Sequence, residues 1–171
     1  MAVPLPIGGK RLVYNDLIDR LAQTPARFEA IVEGLPPEAW TQAEPDPQTG
    51  EVWTLAHVAR HLRDIELDSF QFRIRQILSQ SDPQFERRFT GHINPDRSTD
   101  GPTALAEFTR ARAETVARLW RLTAAEWAMT TKHPRRDPLD ITYFARAFLD
   151  HDEEHLRQAQ RIVEGLVFDH Q

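Results

Sequence analysis

His151-Asp152-Glu153-Glu154-His155-Leu156-Arg157-Gln158 is the stretch from which the fold can be read. It lies inside a segment, Asp140 to Leu166, in which Ile141, Phe144, Phe148, Ile162 and Leu166 recur at helical spacing. The stripe 141, 144, 148, 151, 155, 159, 162, 166 carries both histidines, so a helix over this segment aims them at the middle of its apolar, bundle-facing side. Gly165 marks its end.

Three more segments share this periodicity. The first runs from Leu12 to Leu35 with Leu17, Leu21, Phe28, Ile31, Val32 and Leu35 apolar; Thr24-Pro25 inside it reads as an N-cap followed by proline at the first helical position, which predicts a kink or restart. The second runs from Thr54 to Gln80 on the stripe Val58, Leu62, Ile65, Phe72. The third runs from Pro102 to Leu122 with Leu105, Phe108, Val116, Leu119 and Trp120. Thr123-Ala124-Ala125-Glu126 has capping-box spacing and opens a short turn through Trp127.

The connections are read from breakers. Pro36 to Glu51 holds four prolines and a glycine, and His133 to Pro138 is a second loop. Ser81 to Gly101 reads as a long polar crossover with a helical turn at Gln84 to Phe89. No segment alternates apolar and polar residues over six positions, so strands are not expected. The prediction is an all-α chain, a four-helix bundle with a long crossover between helices 2 and 3, forming one domain over residues 1–171.

Composition narrows the chemistry. With 171 residues, 40% apolar and 27% charged, the chain can bury one sizeable core. A formal charge of -5 offers no basic field for nucleic acid or an anionic membrane. The absence of cysteine excludes disulfides, thiolate nucleophiles and cysteine-rich zinc sites, leaving any metal to His, Asp and Glu. No signal peptide or membrane span is read, and a cytoplasmic location is the expectation.

Seven histidines stand at 57, 61, 92, 133, 151, 155 and 170. Chance placement would give about 0.3 pairs at i,i+4 spacing. Two occur, His57/His61 and His151/His155. His61, between Val58 and Ile65, shares the inward side of its helix, whereas His57 lies one turn nearer the start. Inward imidazoles need partners, and three that converge in a chain without cysteine are satisfied most simply by a divalent metal. His92, His133 and His170 fall in loops or at the terminus and read as solvated.

His151-Asp152-Glu153-Glu154-His155 differs from the zinc-protease pattern H-E-x-x-H by an aspartate at the position of the general base, and no third ligand follows. Asp152, Glu153 and Glu154 therefore read as solvated groups or as outer partners of a ligand. Asp64 and Asp68 share a face with His61 and could orient an imidazole, hold a metal-bound water or form a rim salt bridge. Arg60, Arg63, Arg73 and Arg112 could bind a substrate carboxylate, a solvated arginine being the ordinary expectation. Trp40, Trp53, Trp120 and Trp127 read as packing residues, with one or two available for a dimer interface.

Two local patterns carry a family resemblance: Trp53-Thr54-Leu55-Ala56-His57-Val58-Ala59-Arg60-His61-Leu62-Arg63-Asp64-Ile65-Glu66, and His151-Asp152-Glu153-Glu154-His155-Leu156-Arg157-Gln158. They resemble the DinB-like (DinB/YfiT) superfamily, whose members carry Trp-Ser/Thr, six residues, then His-Leu-x-Asp-x-Glu in the second helix and His-x-x-x-His-Leu-x-Gln in the fourth. Thr24-Pro25, Phe108-x-x-x-Arg112, and Glu126-Trp127 followed by His133-Pro134 fall where the family has similar residues, so the likeness spans residues 12 to 165. Arg135-Arg136-Asp137-Pro138 departs from relatives that have a glycine and a hydrophobic residue there.

The resemblance implies a four-helix bundle and a three-histidine metal site. Matched residue by residue, the ligands are His61, His151 and His155, and His57 falls at a position that is not usually a ligand. It also implies a reaction drawn from metal-dependent hydrolysis or transfer and isomerisation with low-molecular-weight thiols. The expected cofactors are zinc or nickel and such a thiol, since the chain supplies no sulfur nucleophile. The expected partners are a small-molecule substrate and a second copy of the chain as a homodimer, with no nucleic acid and no membrane. The competing expectation is a non-catalytic dimeric stress-response or interaction module with a structural or incidental metal. An open three-histidine site is a poor purely structural one, which favours catalysis.

Overall fold

The computed structural model describes residues 8–45, 50, 52–79, 98–133 and 136–166. In chain order these form α1 (Gly8–Val32), a 3-10 turn (Pro37–Trp40), β1 (Ala43–Pro45), β2 (Val52–Thr54), α2 (Leu55–Ile65), a π-helical turn (Glu66–Phe70), α3 (Gln71–Ser79), α4 (Gly101–Arg121), the short α5 (Ala124–Trp127), β3 (Thr130–His133), β4 (Arg136–Asp140) and α6 (Ile141–Gly165). The bundle corners are α1, α2 with its continuation into α3, α4 and α6. Both α1 and α2 pack against α4 and α6, which places α1 and α2 across the bundle from one another.

Helix starts are set by side-chain caps. Thr54 Oγ1 accepts from the His57 N–H, Asp100 from the Thr103 N–H and Asp140 from the Tyr143 N–H, so α2, α4 and α6 begin where the sequence places cap residues. Thr123 and Glu126 complete the reciprocal capping box of α5.

Four sequence expectations change. The helix α1 runs through Pro25 without restarting, and Thr24 donates from Oγ1 to Asp152 Oδ2 at 2.9 Å instead of capping. The segments read as loops contain two antiparallel hairpins, β1 with β2 (Ala43 opposite Thr54) and β3 with β4 (Thr130 opposite Asp140). Three to five residues each, they are too short for alternation to announce them. The segment Thr54 to Gln80 is interrupted by the π turn, which spends one extra residue per turn. Beyond it the inward positions are Arg73, Ile74 and Ile77, and Phe72 is rotated off the core face. On α6 the buried face runs through Ala145, Leu149, Asp152 and Leu156, so Asp152 sits at its centre while His151 lies half-buried at the edge. The Gln84 to Phe89 turn, His92 and His170 lie outside the described residues.

The core falls into two apolar clusters. One gathers Leu17, Ile18, Leu21, Phe70, Ile74, Ile77, Leu119, Phe144 and Leu149 with Trp127, whose ring stacks on Tyr14 at 4.5 Å. The other gathers Phe28, Trp40, Leu55, Val58, Leu62, Leu105, Phe108, Leu156 and Ile162. Between them along every bundle helix lies a polar layer of Thr24, Glu66, Arg112, Thr115 and Asp152, each at most 2% exposed. Arg112 donates from Nε to Glu66 Oε2 at 2.8 Å, from Nη1 to Asp152 Oδ2 at 2.6 Å and to the Leu21 carbonyl at 3.0 Å, and from Nη2 to Asp152 Oδ1 at 3.2 Å. Thr115 donates to Glu66 Oε1, and the Arg112 guanidinium carbon lies 4.9 Å from the centre of the Phe108 ring. The solvated reading of Asp152 and Arg112 is thus corrected. An ion removed from water at this depth loses several kcal/mol, which is recovered only when its hydrogen-bonding capacity is met, as it is here.

Trp40 and Trp127 are buried as expected, and Trp120 is exposed. The Trp40 ring covers the start of α4, where a Cβ on Gly101 would overlap ring carbons Cε3, Cδ2 and Cζ3. Gly101→Ala should therefore destabilise the protein by about 1–3 kcal/mol through overpacking. Urea unfolding checks this: the midpoint falls in Gly101→Ala, and an unchanged midpoint would contradict the packing described.

Candidate metal centre

The cap at Thr54 fixes the first turn of α2, and His57 and His61 follow one turn apart. Opposite them α6 presents His151 and His155. The three rings of His61, His151 and His155 meet by their Nε2 atoms: His61 to His151 at 3.1 Å and His155 to His151 at 3.2 Å, with the three donor atoms all within 4.8 Å of one another.

Such a convergence is a chemical problem without a cation. A neutral imidazole carries one N–H and one lone pair. His155 donates from Nδ1 to Gln158 Oε1 at 2.8 Å, so its Nε2 lone pair faces the centre. His151 Nε2 meets two neighbours and has at most one proton to offer them, while its buried Nδ1 has no hydrogen-bond partner. Tetrahedral coordination with metal–nitrogen bonds of about 2.0–2.1 Å would set ligand nitrogens about 3.3 Å apart, close to the two separations found. The donor set fits a divalent metal held on three imidazoles.

Electrostatics keep the donors in their ligand form. Burial, followed by the imidazoles of His155, His151 and His57, pushes His61 down to about 3. Burial, followed by His155 and the Arg112 guanidinium, pushes His151 down to about 3. Burial also lowers His155, against the opposing hydrogen bond to Gln158. All three are uncharged at neutral pH, the state in which imidazole binds metal.

The other sequence candidates stand elsewhere. His57 is half-buried and outside the converging set, its ring stacked on Trp53 at 4.7 Å. Asp64 accepts from Arg63 Nε at 2.7 Å, the salt-bridge alternative, and Asp68 is exposed. Arg63 also reaches Glu107, Arg60 donates to the Thr99 carbonyl, and Glu153 is paired with Arg27. Arg112, with every donor nitrogen turned to a protein acceptor, has none to spare for a substrate.

Two residues that stand in the quoted motifs were given no role at the site by the sequence reading. Trp53 stands edge-on to His61 at 5.3 Å and tilted to His155 at 5.6 Å, forming an aromatic wall over the imidazoles. Its place immediately before the Thr54 cap was the available signal. Gln158 fixes the His155 tautomer from one turn along α6, a spacing of three visible in the sequence.

A family model described as the DinB superfamily matches residues 20–159. Among solved structures, the fold is similar to that of YfiT from Bacillus subtilis, described as a probable metal-dependent hydrolase with an unusual four-helix bundle topology. The TM-score is 0.74 at 18% identity, over 96% of this chain and 92% of that one. No curated protein matches the sequence.

Protein dialysed against zinc or nickel and then against metal-free buffer should retain about one equivalent by elemental analysis. His155→Ala, having lost one of three donors, should retain at least ten-fold less. Equal retention by the two proteins would contradict the site.

Proposed function

This chain belongs to the DinB superfamily, and on that premise we propose that it is a metal-dependent enzyme in which His61, His151 and His155 hold a divalent cation and the reaction is hydrolysis of a small molecule. The observation that carries the proposal is the meeting of three Nε2 atoms from facing helices. Its similarity in fold to YfiT, described as a probable metal-dependent hydrolase, favours hydrolysis. When bound, a divalent ion on three imidazoles keeps a coordination position open and acts as a Lewis acid toward the water or substrate group that takes it.

The chain's own residues supply the rest. Neutral imidazoles, unlike carboxylate or thiolate ligands, would bring no negative charge of their own to a bound ion. Gln158 holds the His155 ring in place, and Trp53 offers a face against which a substrate's apolar part can lie. Zinc and nickel both suit an all-imidazole set. Because the chain contains no cysteine, sulfur chemistry at this site would need an external low-molecular-weight thiol, and thiol transfer is the second reading on that ground. No helix among the described residues is long and apolar enough to cross a membrane.

The test is cobalt substitution. Cobalt-loaded protein should show visible bands of a low-coordinate site, and acetohydroxamate, which chelates through oxygen, should shift them. A small thiol that instead produces a near-ultraviolet sulfur-to-cobalt band at micromolar concentration would favour transfer over hydrolysis. Bands unmoved by either reagent would contradict a catalytic site, because no position would be open to substrate.

A further inference from the structure

The polar layer is not electrically neutral. Within the layer two carboxylates, Glu66 and Asp152, face one guanidinium, Arg112, a surplus of one negative charge; of the other buried arginines, Arg63 is paired with Asp64 and Glu107, and Arg73 donates to Gln76. Both Asp152 oxygens and both Glu66 oxygens accept hydrogen bonds from Arg112, Thr24 or Thr115, so every carboxylate oxygen of the layer is committed to a protein donor. An uncompensated charge at this depth is expensive, and water screens it little.

The surplus lies beside the imidazoles. Asp152 directly follows His151 and precedes His155 by three residues, at the centre of the buried face of α6. Glu66 opens the π turn that continues α2 just beyond His61. The three imidazoles are neutral, so a divalent ion at their Nε2 atoms would bring two positive charges with no anionic ligand to offset them.

Resting on the metal-site reading above, we infer that the buried carboxylates of Asp152 and Glu66 supply the counter-charge of the metal centre, raising its affinity for a divalent cation while their oxygens stay committed to Arg112, Thr24 and Thr115. Glu66 lies beside Ile65 on the inward face where α2 passes into the π turn, and from there it reaches Arg112. The layer does two things with one set of groups: it ties the four helices together, and it leaves an electrostatic remainder that a divalent cation offsets. Asp152 and Glu66 act on the metal through the field and are positioning residues.

Zinc affinity measured by competition with a chromophoric chelator tests this, with urea unfolding of each metal-free variant alongside. Asp152→Asn and Glu66→Gln, each removing one negative charge with little change of shape, should bind one zinc ion with affinity lowered about ten-fold or more. Arg112→Lys keeps the charge and loses the forked geometry. It should unfold at lower urea yet hold zinc within about three-fold of wild type. If Asp152→Asn fails to fold, Glu66→Gln against Arg112→Lys decides. Unchanged affinity in the carboxylate variants would overturn the inference, as would a loss in Arg112→Lys as large as theirs, since binding would then follow stability and not charge. Absence of zinc binding by the wild type would instead remove the metal-site reading itself, and this inference with it.

Discussion

Arg112 is the constraint on which the rest of the structure depends. A guanidinium cannot be deprotonated to escape burial, so a chain that places one between two apolar clusters must bring acceptors to every donor. It does so from each corner of the bundle: the Leu21 carbonyl and, through Asp152, Thr24 on α1; Glu66 in the π turn after α2; Thr115, through Glu66, on α4; and Asp152 on α6. Apolar contacts alone would let the helices slide or rotate with modest loss, because one leucine substitutes for another. A bidentate carboxylate–guanidinium pair has one geometry, and satisfying it sets the rotation of α6 and the axial register of the other three helices.

The histidine cluster inherits that register. With Asp152 pinned at the middle of the buried face, His151 falls at its edge and His155 on the same side one turn on. The Thr54 cap and the helix it starts bring His61 to meet them, and Trp53, one residue before the cap, closes over the imidazoles. Donors thus come from two facing helices whose relative placement is decided in the buried layer below. Bundle cores are suited to this arrangement because side chains on neighbouring helices converge without help from loops.

Much of this was readable in the sequence. The helical spacing of Leu17, Leu21 and Phe28, of Val58, Leu62 and Ile65, and of Ile141 and Phe144 announced the helices, and Thr54, Asp140 and Thr123 announced three of their starts, while the cap at Asp100 lay in a stretch read as crossover. The i,i+4 histidine pairs pointed to the cluster that the structure brings together. What could not be read were features decided by partners distant along the chain. Asp152, within an acidic run, read as a solvated acid or an outer partner of a ligand, because its burial against an arginine forty positions away is not visible locally. Thr24 before a proline looked like a cap for the same reason, its true acceptor being 128 positions distant. The π turn has no compositional mark, so the stripe was carried past it one residue out of phase, to Phe72. The hairpins are too short for periodicity, and their pairing is tertiary.

The central claim is that three imidazoles from two helices converge on one divalent cation. X-ray absorption at the zinc edge of the loaded protein tests it most directly. The account predicts a first shell of nitrogen and oxygen scatterers at about 2.0–2.1 Å, with the outer-shell pattern of three imidazole rings, reduced to two rings in His61→Ala. A wild-type spectrum fitted by carboxylate ligands, or by one ring or none, would contradict it.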